Sequence, residues 1–140
     1  MGRKKIGIPL EGFAELCRSA AAQGAVLLKN EEETLPVTNG ERVAVFGRIQ
    51  KDYYRSGTGS GGAVNAPYTT NLLDSLRECD NLQVDEALAA VYEEWIQENP
   101  FDDGGGVWAG EPWSQKEMEV SDELAAAAAG RADKALVVIG

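Results

Sequence analysis

The sequence predicts an α/β fold with a mainly parallel sheet, and three observations predict it. Arg42-Val43-Ala44-Val45-Phe46-Gly47 and Ala135-Leu136-Val137-Val138-Ile139-Gly140 are short, apolar and β-branched. They lack the polar alternation of a half-exposed strand, which suits parallel strands covered on both faces. The stretches before and between them carry apolar residues at three- and four-residue spacing, the period of amphipathic helices. Strands alternating with helices form parallel sheets with right-handed crossovers.

Taken in order, Leu10 to about Lys29 is predicted as the first helix. Phe13, Leu16, Cys17, Ala20, Ala21 and Gly24 share one stripe, and Val26-Leu27-Leu28 continues it as a buried last turn. Pro9 stands just before the start, Glu11 and Glu15 near the positive end of the helix dipole, and Lys29 near the negative end. Asn30-Glu31-Glu32-Glu33 is a solvated break, Leu35-Pro36-Val37 an extended segment and Asn39-Gly40 a turn. The strand at Arg42 to Gly47 follows. Thr69 to Cys79 is the next helix, with Leu72, Leu73 and Leu76 buried and Thr69 or Thr70 as its cap. Leu82-Gln83-Val84 is a short strand. Asp85 opens a helix to about Glu98 with Leu88, Val91, Tyr92 and Trp95 on one face, and Asn99-Pro100 stops it. Residues 101–115 form a loop, Ser121 caps a helix from Asp122 to about Ala129, and the second strong strand comes last.

The chain has 140 residues, enough for one domain, and a formal net charge of −10. An acidic surface repels phosphate backbones and anionic lipid, which argues against nucleic-acid and membrane partners. There is no histidine, so triad chemistry and the commonest zinc ligand are absent from these residues. Cys17 and Cys79 read as reduced, small apolar residues, each in a predicted helix. No apolar run approaches the roughly 20 residues of a membrane span, and Ile6 to Leu10 is too short for a signal-peptide core. The expected location is cytoplasmic. The chain stops at the C-terminal edge of a predicted parallel strand, where ligand loops begin, so it is expected to be a fragment of a longer protein.

The stretch with most functional content is Tyr53 to Asn65, where Gly57, Gly59, Gly61 and Gly62 alternate with Thr58 and Ser60. Glycine there lets a ligand or another backbone come close. A flexible linker is the bland alternative, but two tyrosines, Arg55 and Val64 interleave the tract. Gly57-Thr58-Gly59-Ser60-Gly61-Gly62 formally satisfies G-x-G-x-x-G. A dinucleotide fingerprint, however, needs its first glycine directly after the strand, and here about ten residues intervene. No Gly-Lys-Ser/Thr follows, so a P-loop is excluded too. Asp102-Asp103-Gly104 lacks the spaced ligands of a calcium loop and reads as a solvated acidic turn. Trp108 and Trp113 stack on a sugar or a partner, or pin their long loop to the core. Arg55 meets a carboxylate or a substrate hydroxyl, or anchors its loop.

Five segments in order resemble glycoside hydrolase family 3. Ala20-Ala21-Ala22-Gln23-Gly24-Ala25-Val26-Leu27-Leu28-Lys29-Asn30, with Leu35-Pro36-Val37, resembles the opening of that family's α/β-sandwich domain. Gln23 stands for its usual Glu and Val37 for its usual Leu. Val43 to Gly47 is similar to its first strand, Gly57 to Val64 to its glycine-serine loop, and Leu72-Leu73-Asp74-Ser75-Leu76 to the helix that follows. Leu136 to Gly140 is similar to a later strand. Residues 99–120 carry no motif that can be placed in the family pattern.

The resemblance implies a three-layer α/β sandwich with a mainly parallel sheet, present as an incomplete fragment over residues 1–140. It implies a parent enzyme, a retaining β-glycosidase releasing terminal non-reducing β-D-glucosyl or xylosyl residues. In that family a TIM-barrel domain supplies the Asp nucleophile. The sandwich supplies the acid/base, often a Glu shortly beyond the strand that matches Leu136 to Gly140. On this reading the fragment holds neither catalytic carboxylate and is inactive alone. It contributes the glycine-rich loop, with Ser60 near the nucleophile and the −1 sugar and Thr58, Gly59 and Gly61 as further substrate-binding positions. Partners are a β-glucoside or oligosaccharide and the barrel domain of the same parent, and a homo-oligomer is compatible with it. No cofactor and no metal are expected. Met1, close ahead of the sandwich, suits members with sandwich first and barrel second. The alternatives are a non-catalytic carbohydrate- or nucleotide-binding module and a structural domain whose loop docks on a partner.

Overall fold

The computed structural model describes residues 10–52, 68–106 and 110–139. The chain divides into two units, Met1–Pro36 and Val37–Gly140. The described part of the first unit holds α1 (Phe13–Gly24) and a 3₁₀ turn at Glu31–Glu33. α1 is shorter than the span predicted from Leu10 to Lys29. It begins after Gly12, at φ 77°, with no side-chain cap, and ends at Gly24, with Ala25 already extended. Glycine is a poor helix former, and β-branched Val26 does little to carry a helix past it. Val26, Leu27 and Leu28 are therefore exposed residues beyond the helix, not its buried last turn. No basic residue stands in the last turn, so Lys29 does not serve the dipole as predicted. No residue of α1 is buried, and the apolar stripe stays open. Asn30 closes the following turn. Its Nδ2 donates to the Leu35 carbonyl at 2.8 Å, and its Oδ1 accepts from the Leu35 N–H at 2.9 Å.

The second unit runs β1 (Arg42–Phe46), α2 (Leu72–Arg77), β2 (Gln83–Val84), α3 (Glu86–Glu98), α4 (Asp122–Ala129) and β3 (Lys134–Val137). The three strands form one parallel sheet in the order β2-β1-β3. Val43 lies opposite both Val84 and Lys134, and Phe46 lies opposite Val137. The predicted α/β class and parallel sheet are those of the structure. Val43, Ala44 and Val45 of the central strand are all buried. Ala44 packs with Leu88 and Tyr92 of α3, Met118, and Ala128 of α4, and Phe46, Trp95, Leu124 and Ala132 pack around them. Neighbouring strand residues point to opposite faces, so buried Val43 and Val45 mark the other face as covered too. β3 differs. It is an edge of the described sheet, and Leu136 and Val137 are exposed although their sequence reads like that of β1.

Side-chain caps set where the helices of this unit begin. Asn71, not Thr69 or Thr70, caps α2, its Oδ1 accepting from the Asp74 N–H at 2.8 Å. That cap starts the helix late, and Cys79 falls just past its end. Leu73 is fully buried, while Leu72 and Leu76 are half-buried. Asp85 caps α3, which opens where the sequence placed it, and Ser121 caps α4 as predicted. On α3 the buried face is Leu88, Ala89 and Tyr92, with Val91 exposed at its margin. Arg131 donates from Nε and Nη2 to Asp85 at 2.8 to 3.1 Å, joining the end of α4 to the start of α3. Those bonds hold the Asp85 carboxyl below the usual carboxylate range, against the opposing effect of its burial. Cys17 and Cys79 are free thiols. Among the described residues no helix is long and apolar enough to cross a membrane.

Candidate functional site

In a parallel sheet all strands deliver their C-terminal ends to one edge, and ligands bind beyond that edge. Here β1 ends at Phe46 and Gly47 follows at φ 102°, ψ 132°. A Cβ on Gly47 would collide with the carbonyl oxygen of Val138, so glycine is what lets the chain leaving β1 lie against the end of β3. The Val138 N–H donates to the Phe46 carbonyl at 2.9 Å at the same place. The buried Gly47 N–H donates to the Tyr92 hydroxyl oxygen at 3.0 Å, reaching across from α3. Burial pushes the Tyr92 phenol up from its ordinary value. The Gly47 bond works against that rise, and the Glu117 charge adds to it.

A single 3₁₀ turn, Arg48–Gln50, then carries two buried polar side chains away from the strand. Gln50 folds back, its Nε2 donating to the carbonyls of Val45 at 3.1 Å and Gly47 at 2.9 Å. Its Oε1 has no partner among the described residues. The Arg48 guanidinium donates to Asp52 Oδ2 at 2.7 Å, to the Asn99 carbonyl at 2.9 Å and to the Lys116 carbonyl at 2.8 Å. Its backbone N–H donates to the Glu117 carboxylate at 2.9 and 3.1 Å. Arg48 also stands 5.2 Å from the centroid of the Trp95 ring, and Lys116 Nζ stands 5.9 Å from it.

These groups border a cavity of about 300 Å³ at the ends of β1 and β3. Gly47, Arg48 and Asp52 line one side and Gln115 and Glu117 another, while Phe46, Met118, Val137 and Ile139 supply apolar surface. A concave site of mixed lining suits a polar ligand with apolar faces, the character of a sugar ring. Asp52 and Glu117 are both engaged already, one by Arg48 and the other by backbone N–H groups. Such carboxylates orient and accept hydrogen bonds; nothing on these contacts makes either a free acid or base. Among the described residues no group of three His, Cys, Asp or Glu side chains is arranged to hold a metal ion.

The sequence-predicted positions Thr58, Gly59, Ser60 and Gly61 lie outside the described residues, as do Arg55 and Trp108. The described chain reaches the stem of that stretch at Asp52, in the cavity wall, and resumes at Tyr68. Trp113 is 93% exposed and does not pin its loop to the core. Asp102 and Asp103 accept the N–H groups of Gly104 and Gly105 at 2.9 and 2.8 Å, a local turn as the sequence suggested. Sequence reasoning missed Arg48, Gln50, the Tyr92 hydroxyl and Glu117. The signal for the first two was positional, since both directly follow the end of a parallel strand.

Residues 25–140 match the family profile described as glycosyl hydrolase family 3 C-terminal domain. A β-glucosidase of Ruminococcus albus is 43% identical over 128 residues, which is 91% of this chain and 13% of that protein. The crystal structure of a β-glucosidase from Paenibacillus barengoltzii is similar over 99% of this chain and 15% of its own, with a TM-score of 0.92 and 61% identity. That of β-glucosidase 3B from Thermotoga neapolitana in complex with α-D-glucose is similar over 94% of this chain and 18% of its own, with a TM-score of 0.78 and 31% identity. The chain spans less than a fifth of the length of each of these relatives.

Proposed function

The chain belongs to the glycosyl hydrolase family 3 C-terminal domain family, and from that premise we propose that it is the first part of the α/β-sandwich domain of a retaining β-glucosidase. The parent enzyme hydrolyses terminal non-reducing β-D-glucosyl residues, or xylosyl residues by the same chemistry. The observation that carries the reading is the cavity at the strand ends, with Asp52 in its wall and the glycine-rich stretch starting one residue later. β-Glucosidases among the relatives support the activity, and the glucose complex of the Thermotoga neapolitana relative supports the sugar.

In this reading the TIM-barrel domain of the same parent chain supplies the nucleophile. Retention requires the two catalytic carboxyl groups about 5 Å apart across the scissile bond. Neither is assigned to a residue of this chain. Gly59 and Gly61 allow the backbone to approach the sugar, Thr58 adds a hydroxyl, and the Ser60 hydroxyl donates to a carboxylate or accepts from a sugar hydroxyl.

The test is hydrolysis of an aryl β-glucoside. The full-length gene product turns it over, and residues 1–140 alone do not. Ser60→Ala in the full-length enzyme lowers kcat/KM roughly tenfold, the worth of one hydrogen bond to a charged or polar partner, without unfolding the protein. Turnover by residues 1–140 alone overturns the division of labour, and an unchanged rate in Ser60→Ala removes that serine from the site.

A further inference from the structure

Arg48 is the one cation among the buried charged residues of the described chain. Its side chain joins three segments that are distant in sequence. Asp52 leads into the glycine-rich stretch, Asn99 ends α3, and Lys116 lies in the stretch between α3 and α4. Glu117, next to Lys116, holds the Arg48 backbone in turn.

Stability is a weak reason for this arrangement. A buried cation is costly to desolvate, and apolar residues of similar volume commonly replace buried ion pairs without loss. What the guanidinium offers instead is geometry. Its planar fork reaches acceptors in fixed directions while its carbon stands over the Trp95 ring at 5.2 Å from the centroid. Of its three acceptors Asp52 lines the cavity, while Asn99 and Lys116 lie beside it in a second concavity that Arg48 and Gln115 also line; Gln115 and Glu117 line the cavity next to Lys116.

We propose that Arg48 is a positioning residue for the sugar site, fixing the turn through Asp52 against Asn99 and Lys116 so that the cavity lining at Asp52 and at Gln115 and Glu117 keeps one spacing. Asn99 and Lys116 are thereby part of the site's support. This rests on the reading of the glycine-rich stretch as sugar-binding.

The test uses the full-length enzyme with Arg48→Lys, Asp52→Asn, the double variant, and Arg131→Lys as control. Arg131 belongs to the Asp85 pair toward the start of the strands, away from the cavity. Lysine keeps the charge but not the planar fork. Kinetics are read on an aryl β-glucoside well below the unfolding temperature, with glucose as competitive inhibitor and near-UV circular dichroism as the check on folding. Arg48→Lys loses roughly 10- to 100-fold in kcat/KM, the scale of a displacement of about 1 Å at a site, and its glucose inhibition constant rises. Asp52→Asn falls similarly, and the double variant is no worse than the poorer single, because both act through one contact. Arg131→Lys retains wild-type kinetics.

A folded Arg48→Lys enzyme within twofold of wild type in kcat/KM overturns the proposal, as do fully additive losses in the double variant. Should Arg48→Lys fail to fold, wild-type kinetics in Asp52→Asn overturn it equally. An inactive wild-type enzyme would instead refute the β-glucosidase reading, and this inference would fall with it.

Discussion

Tyr92→Phe removes one oxygen from the centre of the second unit and leaves the ring in place. Tyr92 is 1% exposed, and its hydroxyl is the acceptor for the buried N–H of Gly47 at 3.0 Å. The packing against Ala44, Leu88, Met118 and Ala128 is kept, so no cavity is added beyond the lost oxygen. What changes is that a buried donor loses its partner, which costs about 1 to 3 kcal/mol. Removing the phenol also removes the cost of having buried it, so a central value of about 2 kcal/mol is expected, roughly 30-fold in the opening equilibrium. Hydrogen exchange read by mass spectrometry on peptides spanning residues 44–50 measures that opening directly, whatever the length of the chain around it. Exchange at Gly47 should rise by roughly that factor, while exchange in α4 stays unchanged. Unaltered exchange at Gly47 would show that the bond does not hold the strand end, and the argument that α3 fixes the exit of β1 would fail.

Two further outcomes follow from the same geometry. Gly47→Ala places a Cβ at φ 102° and against the Val138 carbonyl; it should accelerate exchange of the Val138 amide, which bonds Phe46, by more than Tyr92→Phe does, and wild-type protection would refute the close approach. Asp85→Asn breaks the pair with Arg131 and should destabilise the second unit by about 2 kcal/mol at pH 7, a value discounted because Arg131 is a third exposed. The folded carboxyl titrates below its ordinary value, so its stabilisation is full above the unfolded pKa of about 3.9 and is lost as pH falls through the lower, folded value. The gap between wild type and Asp85→Asn in exchange at the start of α3 should therefore close as the pH drops below about 4; a constant gap would refute the assignment.

The fold was legible where local chemistry and tertiary context agreed. Val43-Ala44-Val45 is apolar on consecutive positions, and both faces of β1 are covered. Asp85 was readable as a helix start and Ser121 as a cap because a carboxylate or hydroxyl before an apolar period has few other uses. Reading failed where a single residue decided between equals. Asn71 outcompeted Thr69 and Thr70 for α2, and Gly24 ended α1 although the apolar pattern ran on through Val26, Leu27 and Leu28. Periodicity reports which residues could share a face; it does not report what covers that face, which is why α1 and β3 read as buried and are exposed. The site was half legible. Glycine spacing drew attention to residues 57–62, but the groups that shape the described cavity come from 47–52, 92 and 115–118, brought together only by the sheet.

Three departures from ordinary packing in the second unit gather at the end of β1. Gly47 has a positive φ, Arg48 is a buried cation and Gln50 a buried amide, and Arg48 Nε and Gln50 Oε1 have no hydrogen-bond partner among the described residues. All three fall within four residues of one another, directly after the strand with the most completely buried core. Each is a cost to stability that an apolar residue or a different turn would relieve, and a sequence tends to break local rules of this kind where function requires it. The rigid strand absorbs the cost, and the turn it anchors leads straight into the glycine-rich stretch. The clustering argues that the turn at Arg48–Gln50 is shaped for what it presents, which is why Arg48→Lys is expected to cost activity more than stability.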